Sequence, residues 1–296
     1  MRRMKMITGA LACGALLLTA CHSKDPNYNT SHPDKAQVTI TTDWNGMGAG
    51  ITKPTIYMAV INGTEYKGIP TTPESYTFPQ VEPGSYTAYL YNEVIQMPVS
   101  GTAATVKTVA PPAGMTGTYI EPLPDWFFAG KLQEAVEKDT DYELIVPMRQ
   151  QVRELTFIIE PTGGSANKIT SITASLSGVA GTWNIDTDQP QGEAVNVALT
   201  FARITTGENS GKWSATVRLP GVTGAEQQLT GAINFTGNTL ADIPLESVLT
   251  TELANFNTDK KTPLILGGTI IETPTGAGFT ATIKNWKKNK GSGTAN

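Results

Sequence analysis

Apolar and polar residues alternate along most of this chain. Leu155, Phe157 and Ile159 take every second position, as do Ile172, Ala174 and Leu176. Val195, Val197, Leu199 and Phe201 share one face, with Asn196 and Thr200 opposite. Trp213, Ala215, Val217 and Leu219 repeat the pattern against Ser214, Thr216 and Arg218, and Leu229, Ile233 and Phe235 follow. Successive side chains of an extended chain point to opposite faces, so each stretch predicts a strand with one buried and one wet face. Turns rich in Gly, Pro and Asn between such strands predict a two-sheet sandwich, closed by Leu264 to Ile271 and Phe279 to Trp286. The first half carries the signal less regularly. Gln37 to Thr42 alternates, Thr55 to Ile61 is continuously apolar, and Ser85 to Tyr91 alternates after a Pro83-Gly84 turn pair. Thr105 to Val109 and Tyr142 to Val146 are further strand candidates. Two stretches break the period. Leu132, Ala135 and Val136 predict a helix of about two turns within Lys131 to Lys138, and Leu245 to Leu253 predicts a short helix.

The fold expected from this pattern is all-β, in two tandem sandwiches over residues 36–146 and 147–288. Residues 21–35 are polar, contain Pro26 and Pro33, and predict a flexible tether. Residues 289–296 predict a frayed tail rich in Gly and Ser. Ahead of the tether, Arg2, Arg3 and Lys5 precede an apolar run from Met6 to Leu18, which has the length of a secretory signal peptide. Leu18-Thr19-Ala20-Cys21 resembles the lipobox of bacterial lipoproteins, which implies cleavage before Cys21 and acylation of that residue. More than one acyl chain is needed for stable membrane attachment, at about 0.8 kcal/mol per buried methylene. The other cysteine, Cys13, lies in the segment to be removed, so the expected exported chain has no disulfide and depends on core burial.

Charge and chemistry narrow the function. Removal of residues 1–20 takes three of the 22 basic residues, leaving 19 against 26 acidic, a net charge of −7. That balance and the lack of a basic patch argue against nucleic acid. His22 and His32, the only histidines, fall in the tether, where they predict solvated linker residues; every histidine-based nucleophile scheme is thereby removed. Gly46-Met47-Gly48-Ala49-Gly50 lacks the helix a dinucleotide site needs, because Lys53-Pro54 follows; a flexible loop is expected. Asp139-Thr140-Asp141 and Asp186-Thr187-Asp188 lack the continuation of a calcium loop and read as polar turns. No cofactor, metal site or catalytic residue is indicated. Asp125-Trp126-Phe127-Phe128 is the densest aromatic cluster. Trp126, Phe127 and Phe128 are either a contact patch for a sugar ring or a partner's groove, or a buried patch between the sandwiches.

Three stretches together resemble the fimbrial anchor and minor-subunit lipoproteins of Bacteroidia, of the type V pilus system. One is the strand ending in Asp43-Trp44, with the later Pro83-Gly84-Ser85-Tyr86-Thr87-Ala88-Tyr89-Leu90-Tyr91-Asn92-Glu93. Another is Met148-Arg149-Gln150-Gln151-Val152-Arg153-Glu154-Leu155 with Ile172 to Gly181, and the last is Thr275-Gly276-Ala277-Gly278-Phe279 leading to Asn285-Trp286. The resemblance implies transthyretin-like or immunoglobulin-like sandwiches, attachment to the outer membrane at the cell surface through Cys21, and association with pilin subunits by β-strand pairing. Pilins of this kind open their groove by arginine-specific cleavage in the first domain. After residue 3 the first arginine here is Arg149, which implies a terminal subunit rather than a polymerising one. The last strand, with Phe279, Ala281, Ile283 and Trp286, is the candidate for donation or edge pairing. The alternative is a glycan-binding surface lipoprotein of a polysaccharide-uptake system, which needs Trp44, Trp126 or Trp183 exposed in one concave patch.

Overall fold

The structure is a computed structural model that describes residues 29–164, 166–236, 242–275 and 278–289. Its elements are almost all strands. β1 (Ala36–Asp43), β2 (Ile56–Ile61), β3 (Thr64–Pro70), β4 (Ser75–Val81) and β5 (Gly84–Tyr91) come first. Four short strands follow, β6 (Val99–Ser100), β7 (Ala103–Thr105), β8 (Thr108–Val109) and β9 (Tyr119–Ile120). Next are β10 (Phe128–Val136), β11 (Thr140–Pro147), β12 (Arg149–Gln150) and β13 (Arg153–Pro161). Then come β14 (Ile169–Asn184), β15 (Gln189–Arg203), β16 (Trp213–Leu219), β17 (Gln228–Phe235) and β18 (Ile243–Val248). The four-residue helix α1 (Thr250–Leu253) precedes β19 (Leu264–Thr275) and β20 (Gly278–Asn289).

A smaller sandwich packs a three-stranded sheet, ordered β11-β1-β4, on a five-stranded one, ordered β12-β10-β5-β2-β3. β1 runs parallel to β11, with Ala36 opposite Thr140, and antiparallel to β4. The period-2 signal decides which side chains meet. Val38 and Ile40 of β1 face Ala88 and Leu90 of β5, and Val136 and Phe128 of β10, in one buried cluster. The larger sandwich follows the order β18-β17-β14-β15-β16-β13-β19-β20. Most of β15 pairs with β14, but its last residues, Ala202 and Arg203, pair with Ser214 and Trp213 of β16, carrying the chain from one layer to the other. Trp213, Ala215, Val217 and Leu219 are buried as their alternation predicts, and Leu155, Phe157, Ile172 and Leu266 join them. Each fully buried side chain of this size contributes about 1.5–3 kcal/mol.

Three local expectations are corrected, and two strands carried none. Lys131 to Lys138 is not helical. It lies largely in β10, which pairs with β5 from Ala129 opposite Tyr91 to Val136 opposite Gly84. Leu132 and Val136 face the core whereas Ala135 is exposed, so the helical spacing included a residue that packs against nothing. Leu245 to Leu253 is divided, its first part in β18 and only Thr250–Leu253 helical. β3 and β4 carry no clear signal in the sequence, because each is an edge strand, exposed along most of its length, with little apolar alternation to read. Finally, Thr105 and its neighbours do not join the smaller sandwich. β7 pairs with β14 and β9 with β15 of the larger one.

Candidate functional site

The chain enters the smaller sandwich through a clasp. Cys21, the residue expected to carry lipid, lies outside the described residues, and the described chain starts eight positions later. There the Asp139 carboxylate accepts the Asn29 and Thr30 amides, each at 2.9 Å, and the Thr30 hydroxyl at 2.8 Å. Asp139 has a φ of 52°, the left-handed value of a tight turn that Asp tolerates better than most residues. His32 Nε2 lies 2.8 Å from Asp141 Oδ1, and His32 Nδ1 lies 3.0 Å from the Thr30 hydroxyl. His32 is therefore not the solvated linker residue expected from its surroundings in sequence. Burial pulls its pKa down, but bonding to the Lys35 carbonyl and to Asp141 outweighs this and raises it above 6.5. The Asn29 amide and Thr30 bonds hold the Asp139 carboxyl below 3.8.

These shifts set a pH window. Asp139 stabilises the clasp above its ordinary carboxylate range, and that contribution is lost as pH falls through its lowered folded value. His32 contributes fully below its ordinary value, and that contribution is lost as pH rises through its raised one. Amide exchange at Asn29 and Thr30 is expected to be best protected, relative to the intrinsic rate, at about pH 5–6 and less so at pH ~8. His32→Gln should abolish this difference between pH 6 and pH 8.

A buried polar joint connects the two sandwiches. The run from Gly46 to Gly50 is part of it rather than the free loop its composition predicts. The Gly48 amide donates to Gln150 Oε1 at 2.9 Å, and Gln150 Nε2 donates to the carbonyls of Val152 and Lys260 at 2.8 and 2.7 Å. A Cβ at Gly46 would lie 2.7 Å from the Met148 carbonyl oxygen and one at Gly48 2.6 Å from that of Lys261, so the close approach needs glycine. Lys260 is almost fully buried. Its Nζ lies 2.8 Å from the centroid of the Trp183 ring and donates to the Gln151 carbonyl at 2.9 Å. Burial holds its pKa well below 10.5. Arg153, also buried, donates to the carbonyls of Thr262, Asn255 and Phe256 at 2.7, 3.1 and 3.0 Å. Nearby, Asp186 of the turn after β14 meets Lys131 Nζ at 2.6 Å and the Tyr89 hydroxyl at 2.7 Å, both from the smaller sandwich. These bonds hold the Asp186 carboxyl below its usual range, and burial followed by the Asp186 contact pushes Tyr89 up to about 12. The pairing of Lys260, Gln150 and Arg153 carries no signal in the sequence, since each reaches groups about a hundred residues away.

The aromatic cluster beside the joint divides between the two cores. Phe127 is buried against Tyr91 in the cluster that runs into the larger sandwich, and Phe128 against Trp44 in the smaller one. Trp126 is half-buried, touches both clusters and carries the Arg218 guanidinium 5.5 Å above its ring. Trp44 and Trp183 are buried, so the tryptophans form no exposed platform.

Two further surfaces bear on contact with a partner. β20, the predicted C-terminal strand, pairs with β19 along one side only. Phe279 and Ala281 lie opposite Pro274 and Glu272, while Ile283 is buried in the larger core. Trp286 packs edge-on against Phe157 at 5.8 Å and donates to the Ser247 hydroxyl at 2.6 Å. The other surface is an apolar groove of about 420 Å³ between the sheets of the smaller sandwich, walled by Val38, Ile40, Phe78, Leu132 and Leu144. Alternation over Gln37 to Thr42 predicted Val38 and Ile40 to share one face, and not that the two sheets leave space between them. Among the described residues no group of His, Cys, Asp and Glu is arranged to hold a metal ion.

The structure is similar to a candidate adhesin from Bacteroides ovatus, with a TM-score of 0.56 at 16% identity over 95% of this chain and 98% of that one. It is also similar to the fimbrial anchor protein Mfa2 from Porphyromonas gingivalis, with a TM-score of 0.52 at 10% identity over 86% and 98% of the two chains. A second candidate adhesin from Bacteroides ovatus gives 0.51 at 10% identity over 88% and 96%. At these identities the likeness concerns the fold. The curated proteins yield no match to this sequence. The model of the fimbrillin-A associated anchor proteins Mfa1 and Mfa2 matches residues 84–290, more than two thirds of the sequence. The all-β architecture and this match together place the chain in that family of fimbria-associated anchor proteins.

Proposed function

We propose that the protein is an outer-membrane lipoprotein, exposed at the cell surface, that anchors a fimbria-like filament or serves as its accessory subunit, without enzymatic activity. The observation that carries this reading is the family match over residues 84–290. The lipid on Cys21 supplies attachment, and β-strand pairing with a pilin subunit supplies the contact. The outer edge of β20 is the surface offered for pairing. Donating the whole strand would strip Ile283 and Trp286 from the larger core, so edge pairing costs far less than exchange. β1 is the central strand of its sheet, and no arginine lies between the clasp and Arg149, which supports a subunit that keeps β1 in place. The glycan-binding alternative finds no support in the tryptophans, which are buried or half-buried.

In cells carrying Cys21→Ser, filaments are expected to be shed into the medium rather than retained. Filaments that stay attached would overturn the anchor role. Acylation of the wild-type terminus is checked by mass spectrometry of the protein extracted from membranes.

A further inference from the structure

A polar pocket of about 230 Å³ opens at the end of the larger sandwich that faces away from the joint. β13 leads there, from Arg153 in the joint to Pro161 beside the pocket, a rise of about 26 Å at the usual strand spacing. Two tied loops wall it. In the loop from β15 to β16 the Ile204 amide donates to the Lys212 carbonyl and the Gly211 amide to the Ile204 carbonyl, each at 2.8 Å. The Ser210 hydroxyl donates to the Thr205 carbonyl at 3.2 Å, and Gly207 and Gly211 turn the chain with φ of 78° and 89°. In the loop after β13, the Thr162 amide and hydroxyl both donate to the Ile270 carbonyl, at 3.2 and 2.6 Å. These bonds shape the pocket before any ligand arrives, so little ordering entropy remains to be lost on binding.

The charges around the pocket define its ligand. Lys212 Nζ donates to Asn209 Oδ1 at 3.1 Å and lies 3.5 Å from Glu160 Oε2. Arg203, the last residue of β15, lines the same pocket, and among the described residues no hydrogen bond or ion pair engages its guanidinium. Two cations thus meet one carboxylate in a chain that is acidic as a whole. A free guanidinium grips a carboxylate through two parallel bonds, and the nearby ammonium adds to the attraction. Glu160 narrows the choice further. It repels a bare anion but accepts bonds from hydroxyls, and the Asn167 amide on the same wall can both donate and accept. One carboxylate together with several hydroxyls satisfies both signs, and the volume is that of a single sugar ring.

We infer that this pocket binds an acidic sugar residue, with Arg203 and Lys212 on its carboxylate and Glu160 and Asn167 on its hydroxyls. No aromatic ring lines the pocket among the described residues, so the recognition is polar and does not involve the tryptophans. This binding goes beyond the anchor reading. It can fail while that reading stands, because the Cys21→Ser experiment does not involve the pocket.

The test is a nuclear magnetic resonance titration of the purified chain with methyl β-glucuronide, methyl β-glucoside, acetate and a capped aspartate. The glucuronide is expected to bind with a Kd of about 1 mM, shifting the amide signals of Arg203, Ser210 and Lys212, and about tenfold or more tightly than the other three. Arg203→Gln should bring the glucuronide down to the level of the glucoside without changing the thermal midpoint, because the side chain it removes is exposed and unpaired. Glu160→Ala should narrow the lead over acetate, since it removes the hydroxyl acceptor along with the repulsion. Glucuronide that leaves the pocket signals unmoved, acetate or the glucoside binding as tightly, or an unchanged affinity in Arg203→Gln would each overturn the proposal. Capped aspartate binding as tightly would also overturn it, by assigning the pocket to an acidic side chain of a protein.

Discussion

Phe128→Ala is expected to destabilise the smaller sandwich by about 3–5 kcal/mol, and Phe127→Ala to cost about as much in the larger one. The two rings are adjacent in sequence and both fully buried, yet they lie on opposite faces of β10 and its lead-in. Phe128 packs edge-on against Trp44 at 5.7 Å, within the cluster that holds Val38, Ile40 and Leu90. Phe127 meets Tyr91 at 6.2 Å, in the cluster that holds Leu155 and Trp183. Truncating either ring leaves a cavity that packed sheets cannot close, so the cost includes lost contacts as well as lost burial. Hydrogen exchange distinguishes the two variants. Phe128→Ala should speed exchange chiefly in β1, β2 and β5, and Phe127→Ala chiefly in β13 and β14. Identical exchange patterns would mean that the two clusters unfold as one.

Trp183→Ala should be at least as damaging, at about 3–5 kcal/mol, and its effect should depend on Lys260. Trp183 is fully buried, donates from Nε1 to Asp188 at 3.2 Å and covers the Lys260 amine with its ring. Its loss opens a cavity and also strips the amine of its aromatic face. Lys260→Met, which keeps the length of the stem and removes the buried amine, is expected to cost little or to stabilise. Combined with Trp183→Ala it should recover part of the loss, a coupling that a double-mutant cycle in urea would measure. The pH dependence has a defined sign. Burial depresses the Lys260 pKa, so the unfolded chain binds a proton that the folded one refuses. Wild-type stability should therefore rise as pH climbs toward the ordinary lysine value of 10.5, by more than it does in Lys260→Met. Equal slopes in the two proteins would show that the amine remains charged in the fold.

The strands that proved legible were those with one wet face. β13, β16, the first part of β14 and the later part of β15 carry alternation because one side of each packs on a core and the other meets solvent. β3 and β4 were illegible because edge strands with little burial need no such pattern. β10 was misread because Leu132, Ala135 and Val136 coincide with a helical spacing, and only pairing with β5 decides between the two. The partners of His32, Lys260 and Arg153 were invisible for another reason. Each binds groups about a hundred residues away, and the type of a residue does not reveal its distant neighbours.

The sequence by itself determined that the protein is built of strands and which family it resembles. Periodicity, composition and short motifs are local properties, and the physics behind them acts between near neighbours. Only the tertiary structure decided that β7 and β9 join the larger sandwich, that a glycine run wedges into a buried joint, and that Glu160, Arg203 and Lys212 line one pocket. Those outcomes depend on which strands pair and how two packed sheets meet, and such contacts close loops whose ends carry no mark of each other.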